Sequence, residues 1–153
     1  MNSLIDEREL AQLEVSAIAN AGTPETSQFS QQLLLDQLSN SDWKHRLKAL
    51  QQIKVNPETF SAVVDCLADE RSTIRRWAAA ILGGSEMPEA VEPLSQVVLS
   101  DRAAIVRRTA GDAASDLGDE SAISTMIQAL ADPSPLIRWR AARFLNELGS
   151  VIK

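Results

Sequence analysis

The chain has 153 residues, 44% of them hydrophobic, a formal net charge of −6, three Trp, three Phe, no Tyr and one cysteine. That suits one globular domain with an aliphatic core, and it excludes an internal disulfide framework or a Cys-pair zinc site. No apolar run reaches the length of a membrane span, and the acidic start (Asp6, Glu7, Glu9) is unlike a signal peptide, so a cytoplasmic protein away from membranes is expected. A capping helix is predicted within residues 1–24, at about 4–20, with Leu10, Leu13, Ala17 and Ile18 on one side. Thr23-Pro24-Glu25 then starts a helix at about 25–39, because a capping side chain precedes a proline at the first helical position. Its partner falls at about 42–54. Asn56-Pro57-Glu58 gives the same signal for 57–68, followed by 71–83, which Gly83-Gly84 should stop. Ser85-Glu86-Met87-Pro88 opens 87–100, and its partner is 102–117. Gly118 reads as the left-handed residue that ends that helix, and Asp119-Glu120 starts the last pair, 120–131 and 134–149. The expected organisation is a single domain, 1–153, of hairpins at 25–54, 57–83, 87–117 and 120–149.

One motif returns in the second helix of each hairpin. It reads Asp-x-x-x-x-apolar-Arg-x-x-Ala: Asp69, Ile74, Arg75 and Ala78; Asp101, Val106, Arg107 and Ala110; Asp132, Ile137, Arg138 and Ala141. A degraded first copy has Asn40, His45, Arg46 and Ala49. The arginines lie at 46, 75, 107 and 138, a period near thirty residues that marks stacked helical hairpins, each too small to bury its own apolar face. Ile74, Ala78 and Leu82 recur at steps of four, as do Val106, Ala110 and Ala114, and Ile137, Ala141, Leu145 and Leu148 extend the same stripe. The alanines let neighbouring second helices approach closely. An Arg beside that stripe would be partly buried and would need a carboxylate, from an Asp capping its own helix or a neighbouring one.

These residues resemble the HEAT-like repeats of the phycobilisome-lyase type, over about residues 33–149. The segments 106–119 and 136–149 are similar to the HEAT portion of a bacterial group, the conserved virulence factor C proteins, which are associated with NifU-like scaffold domains. No Cys-rich NifU-like motif is present here, so no iron–sulfur role is carried over. The resemblance implies an all-α solenoid of about four hairpins. It also implies a ladder between repeats, formed by Asp69 and Arg75, Asp101 and Arg107, and Asp132 and Arg138, with a stabilising role. Pro93 matches the family's first-helix proline, a place taken by Ser61 and Ser124 in neighbouring copies.

Once the ladder is set aside, Arg76, Trp77, Arg108, Trp139, Arg140 and Arg143 remain as candidates for a partner-binding stripe on the second helices. Arg with Trp is the composition favoured at binding hot spots. A solvated charged face is the plainer reading of the same residues. Trp77 and Trp139 should be at least partly accessible, since Arg or Thr occupies the equivalent positions of sister repeats. The expected function is a non-catalytic scaffold or adaptor that holds a protein partner. One alternative is a subunit assisting an enzyme of the phycobilin-lyase type. The other, a nucleic-acid binder, is disfavoured by a pI near 4.8 and by Asp112, Asp116 and Glu147 on the same faces. His45, the only histidine, and Cys66 read as packing residues. No catalytic set, cofactor site or metal site is expected. The last hairpin, with Leu136, Phe144, Leu145, Leu148, Val151 and Ile152, is expected to expose an apolar end fit for a second copy or a further domain.

Overall fold

The computed structural model describes residues 24–152, with side chains described for residues 30–150. The helix expected at 4–20 and the capping Thr23 lie outside the described residues. Eight α-helices and no strand are found among those described, the all-α class of a solenoid built from helical hairpins. They are α1 (Pro24–Gln37), α2 (Trp43–Gln52), α3 (Phe60–Asp65), α4 (Ser72–Gly83), α5 (Val91–Ser100), α6 (Ala104–Leu117), α7 (Ile123–Ala129) and α8 (Pro135–Ile152). The chain divides into two compact units, Met1–Lys54 and Val55–Lys153.

In the first unit α1 and α2 form one hairpin that buries Leu38, Ala49, Leu50 and Ile53. Asp42 caps α2 by accepting the Lys44 N–H at 3.0 Å, and Asn40 Oδ1 accepts the Asp42 N–H at 2.8 Å. His45 is buried at the start of α2, with its Nδ1 3.7 Å from Asp42 Oδ2, in keeping with a packing residue.

In the second unit the helices α4, α6 and α8 pack side by side, and α5 and α7 pack against them and against each other. The expected stripe forms the core: Ile74, Ala78, Leu82, Val106, Ala110 and Ala114 are each fully buried, and Ile137 and Ala141 nearly so. Leu145 and Leu148, expected to continue the stripe, are only half-buried, because no further helix among the described residues covers them. Cys66 is buried as a small apolar residue.

Three of the first helices, α3, α5 and α7, begin later than expected, whereas α1 begins at Pro24, within a residue of the expected start. Single 3-10 turns, Pro88–Ala90 and Glu120–Ala122, lead into α5 and α7, while Cys66–Ala68 ends α3 as another. Asn56 still organises its turn, accepting the Glu58 and Thr59 N–H groups at 2.9 and 3.0 Å. Gly118 is left-handed, with φ of 63°, as expected. The Gly83-Gly84 stop is as expected: α4 ends at Gly83, and Gly84 caps it without a left-handed φ. The last helix, expected to end at 149, continues through Gly149 to Ile152.

The ladder is offset by one repeat from the pairing read within each motif copy. The Arg75 Nη1 group donates to the backbone carbonyls of its own turn, Asp69 at 2.9 Å and Glu70 at 3.2 Å. Its Nε and Nη2 groups clamp the carboxylate of the next repeat, Asp101, at 2.8 and 3.1 Å. Arg107 does the same, with Nη1 on Asp101 O at 2.9 Å and the clamp on Asp132 at 2.9 and 3.1 Å. Each acid in turn accepts the N–H two residues on: Ala103 for Asp101 and Ser134 for Asp132, both at 2.8 Å. Asn40 keeps that local turn without the charge needed for an inter-repeat clamp.

Burial pushes the carboxyls of Asp101 and Asp132 up, but their arginine and backbone hydrogen bonds, with nearby guanidinium charge, outweigh it and hold both below the ordinary 3.8. A carboxyl with a lower pKa in the folded state than in the unfolded one binds its proton more readily on unfolding. Its stabilisation is therefore complete above the unfolded value and is lost as pH falls through the folded value. The urea midpoint is expected to hold steady on the alkaline side of 3.8 and to drop below it. Asp101→Asn and Asp132→Asn together should flatten that acid limb while lowering the neutral plateau. An unchanged limb would mean that other carboxyls control it.

Candidate functional site

The second helices present their outer residues in rows, because the motif aligns them from repeat to repeat. Arg76, Arg108 and Trp139 are equivalent positions on α4, α6 and α8, and Trp77, Thr109 and Arg140 are the next. One turn further on come Ala80, Asp112 and Arg143, and Asp116 and Glu147 lie another turn along α6 and α8. Trp77 is 39% exposed and Trp139 55% exposed, so both indoles are accessible as expected. Arg76 is exposed and Arg108 half-buried.

Three of the six candidates converge between α6 and α8. Trp139, Arg140 and Arg143 line an open cavity of about 350 Å³ together with Asp112, Ser115, Asp116, Phe144 and Glu147. Phe144 is buried and makes the apolar floor. Arg143 lies over the Trp139 ring, 5.7 Å from its centroid, and its Nε donates to Glu147 at 2.8 Å. That carboxylate pushes the already high pKa of the Arg143 guanidinium higher still. Arg140 pairs with Asp112 across the two helices. Arg108 lines a separate cleft with Val98, Gly111, Met126 and Ile137 that also reaches Arg140. Arg76 and Trp77 lie on α4, outside both.

The arrangement is therefore not a basic stripe. Two of its arginines are matched by carboxylates, and Asp116 adds an exposed negative charge with no ion-pair partner among the described residues. Charge grades along the helices, from Arg76 and Arg108 near their starts to Asp116 and Glu147 near their ends. Sequence reading marked Asp112, Asp116 and Glu147 as interruptions but did not make them part of the site. The Arg143 and Glu147 pair carried a signal, the four-residue spacing of facing side chains on one helix. Asp112 lies 28 residues from Arg140 and carried none.

No group of three or more His, Cys, Asp or Glu side chains suited to a metal ion is found among the described residues. No described helix is long and apolar enough to cross a membrane.

Comparison with known proteins gives two findings. The family described as HEAT repeats matches residues 31–115 and 92–152. A protein of Staphylococcus saprophyticus subsp. saprophyticus named Conserved virulence factor C is 34% identical over 117 residues, which are 76% of this chain and 32% of that protein. The chain thus spans about a third of the length of the relative it matches.

Proposed function

The chain belongs to the HEAT-repeat family, and on that premise we propose that it is a non-catalytic scaffold that holds a protein partner against its second helices. The observation that carries this reading is the cavity between α6 and α8, where an exposed Trp, a buried Phe and both signs of charge meet. Large aromatic side chains beside arginine supply most binding energy at protein interfaces. The graded charge favours a partner segment of mixed sign. Its acidic side chain would lie toward Arg76 and Arg108, and its basic one toward Asp116. Paired charges such as Arg140 and Asp112 are already desolvated in part and fixed in direction, so they orient a partner at little extra cost in freedom.

Affinity capture from lysate of the source cells tests this reading, with the wild type beside a Trp77→Ala/Trp139→Ala variant of unchanged helicity. The expected result is a protein retained by the wild type and lost from the variant. Identical captures by both would overturn the site. Uptake of bilin colour, or retained material that is nucleic acid and leaves steeply with salt, would replace the protein-partner reading with one of the alternatives.

A further inference from the structure

Asp116 is an acid at the wrong end of a helix. It lies in the last turn of α6, which carries no basic residue, and there the helix dipole favours a cation and disfavours a carboxylate. It is exposed and meets no cation among the described residues. It caps no helix, as Asp42 and Asp119 do, and forms no rung of the ladder. The neighbouring sequence supplies no match either, since residues 109–137 contain no Lys or Arg. Glu147 holds the equivalent place on α8, and there Arg143 answers it.

The rest of the cavity between α6 and α8 narrows what could answer Asp116. Asp112 is matched by Arg140 and Glu147 by Arg143, so one negative charge is left over on its lining. The same space is lined by the Ser115 side chain, the buried Phe144 and the Trp139 indole. Trp139 already carries the Arg143 guanidinium 5.7 Å from its ring centroid and is still 55% exposed. An apolar group would leave Asp116 unmatched, and an anion would be repelled by it. A cation on an apolar stem satisfies both the charge and the aromatic wall.

We propose that the cavity receives an arginine side chain of the protein partner, its stem against Phe144 and Trp139 and its guanidinium on Asp116. The inference rests on the scaffold reading above and names the group that the partner must bring. Arginine fits better than lysine because its planar head stacks on an aromatic face while donating from several N–H groups, to Asp116 and Ser115 together. The ammonium of lysine is more strongly hydrated and gives up water less readily to such a wall.

Random peptides displayed on phage and panned on the whole chain supply the probe. The wild type is expected to enrich peptides with an arginine at one fixed position. Replacing that arginine by alanine, or Asp116→Asn in the chain, should weaken binding about tenfold or more, the scale of a hydrogen bond to a charged group. The two losses should not add, because both remove one contact. Lysine at the fixed position should bind less well than arginine. Asp116→Arg should turn the selection toward Asp or Glu there, which a merely structural role for Asp116 would not do. Trp77→Ala, outside the cavity, should leave the preference in place. Enriched peptides that need Trp139 but carry no fixed arginine would overturn the proposal and leave the scaffold reading standing. Indifference to Asp116→Asn, or lysine bound as well as arginine, would overturn it too. So would a chain that enriches no peptide, in which case capture from lysate still decides the scaffold reading.

Discussion

Arg75→Ala is expected to be among the most damaging single substitutions in the molecule, at a cost of about 3–5 kcal/mol, the range for breaking a buried ion pair by removing one partner. The physical reason lies mostly in what remains. Asp101 would keep its charge with a side chain 6% exposed, having lost the two hydrogen bonds from Arg75 at 2.8 and 3.1 Å. The carbonyls of Asp69 and Glu70 would lose their Nη1 donor at the same time. Small domains are stable by only about 5–15 kcal/mol in total, so the loss is a large share. Arg76→Ala, one residue away on the exposed side, should stay within about 0.5 kcal/mol. Arg107→Ala and Arg108→Ala should show the same asymmetry, reduced because the Arg107 side chain is 14% exposed against 5% for Arg75. Equal urea midpoints for Arg75→Ala and Arg76→Ala would refute the ladder as the main polar link between repeats.

Gly83→Ala is the second large effect, and its sign is opposite to the usual one in a helix. A Cβ at Gly83 would lie 2.6 Å from the Cβ and 2.7 Å from the Cα of Ala113, where α4 packs against α6. Ala113 cannot turn aside, because the nearer atoms belong to the backbone or are rigidly attached to it. The helices must part, and overpacking of this kind costs about 1–3 kcal/mol. Gly111→Ala, inside α6 with nothing within 4 Å of the added carbon, should instead stabilise by about 0.5–1 kcal/mol through helix propensity. Thermal unfolding of the two variants separates these outcomes. A stabilised Gly83→Ala would show that the second helices are not in contact at this point.

The fold was legible because its main signals are local and repeated. Asp, apolar, Arg and Ala at set spacing mark the start and buried stripe of a second helix, and Pro or Asx before an apolar run marks the hairpin turns. Gly118 shows how far such signals reach: a glycine between a helix stripe and a capping Asp fits only a left-handed end. What was not legible depends on distance along the chain. Arg75 was paired by reading with an acid of its own motif or its neighbour's, and the choice of Asp101 follows only from the stagger between repeats. Gly83 reads as a stop, and α4 does end there, but its close approach to Ala113 carried no signal in the sequence. Within the candidate site, exposure of Trp77 and Trp139 could be inferred from polar residues at equivalent positions. The pairing of Arg140 with Asp112 could not, since α6 and α8 must first be placed side by side. The overrun of α8 beyond Gly149 has a similar origin, because glycine permits a helix end without forcing one.

The central claim is that a protein partner lies on the second-helix surface between α6 and α8. Hydrogen–deuterium exchange of the chain, alone and with its captured partner, tests it most directly. Protection is predicted to concentrate in residues 104–117 and 135–148, with α5 and α7 unchanged, and to vanish when Trp139→Ala is present. Protection confined to α5 and α7, or unaffected by Trp139→Ala, would contradict the claim.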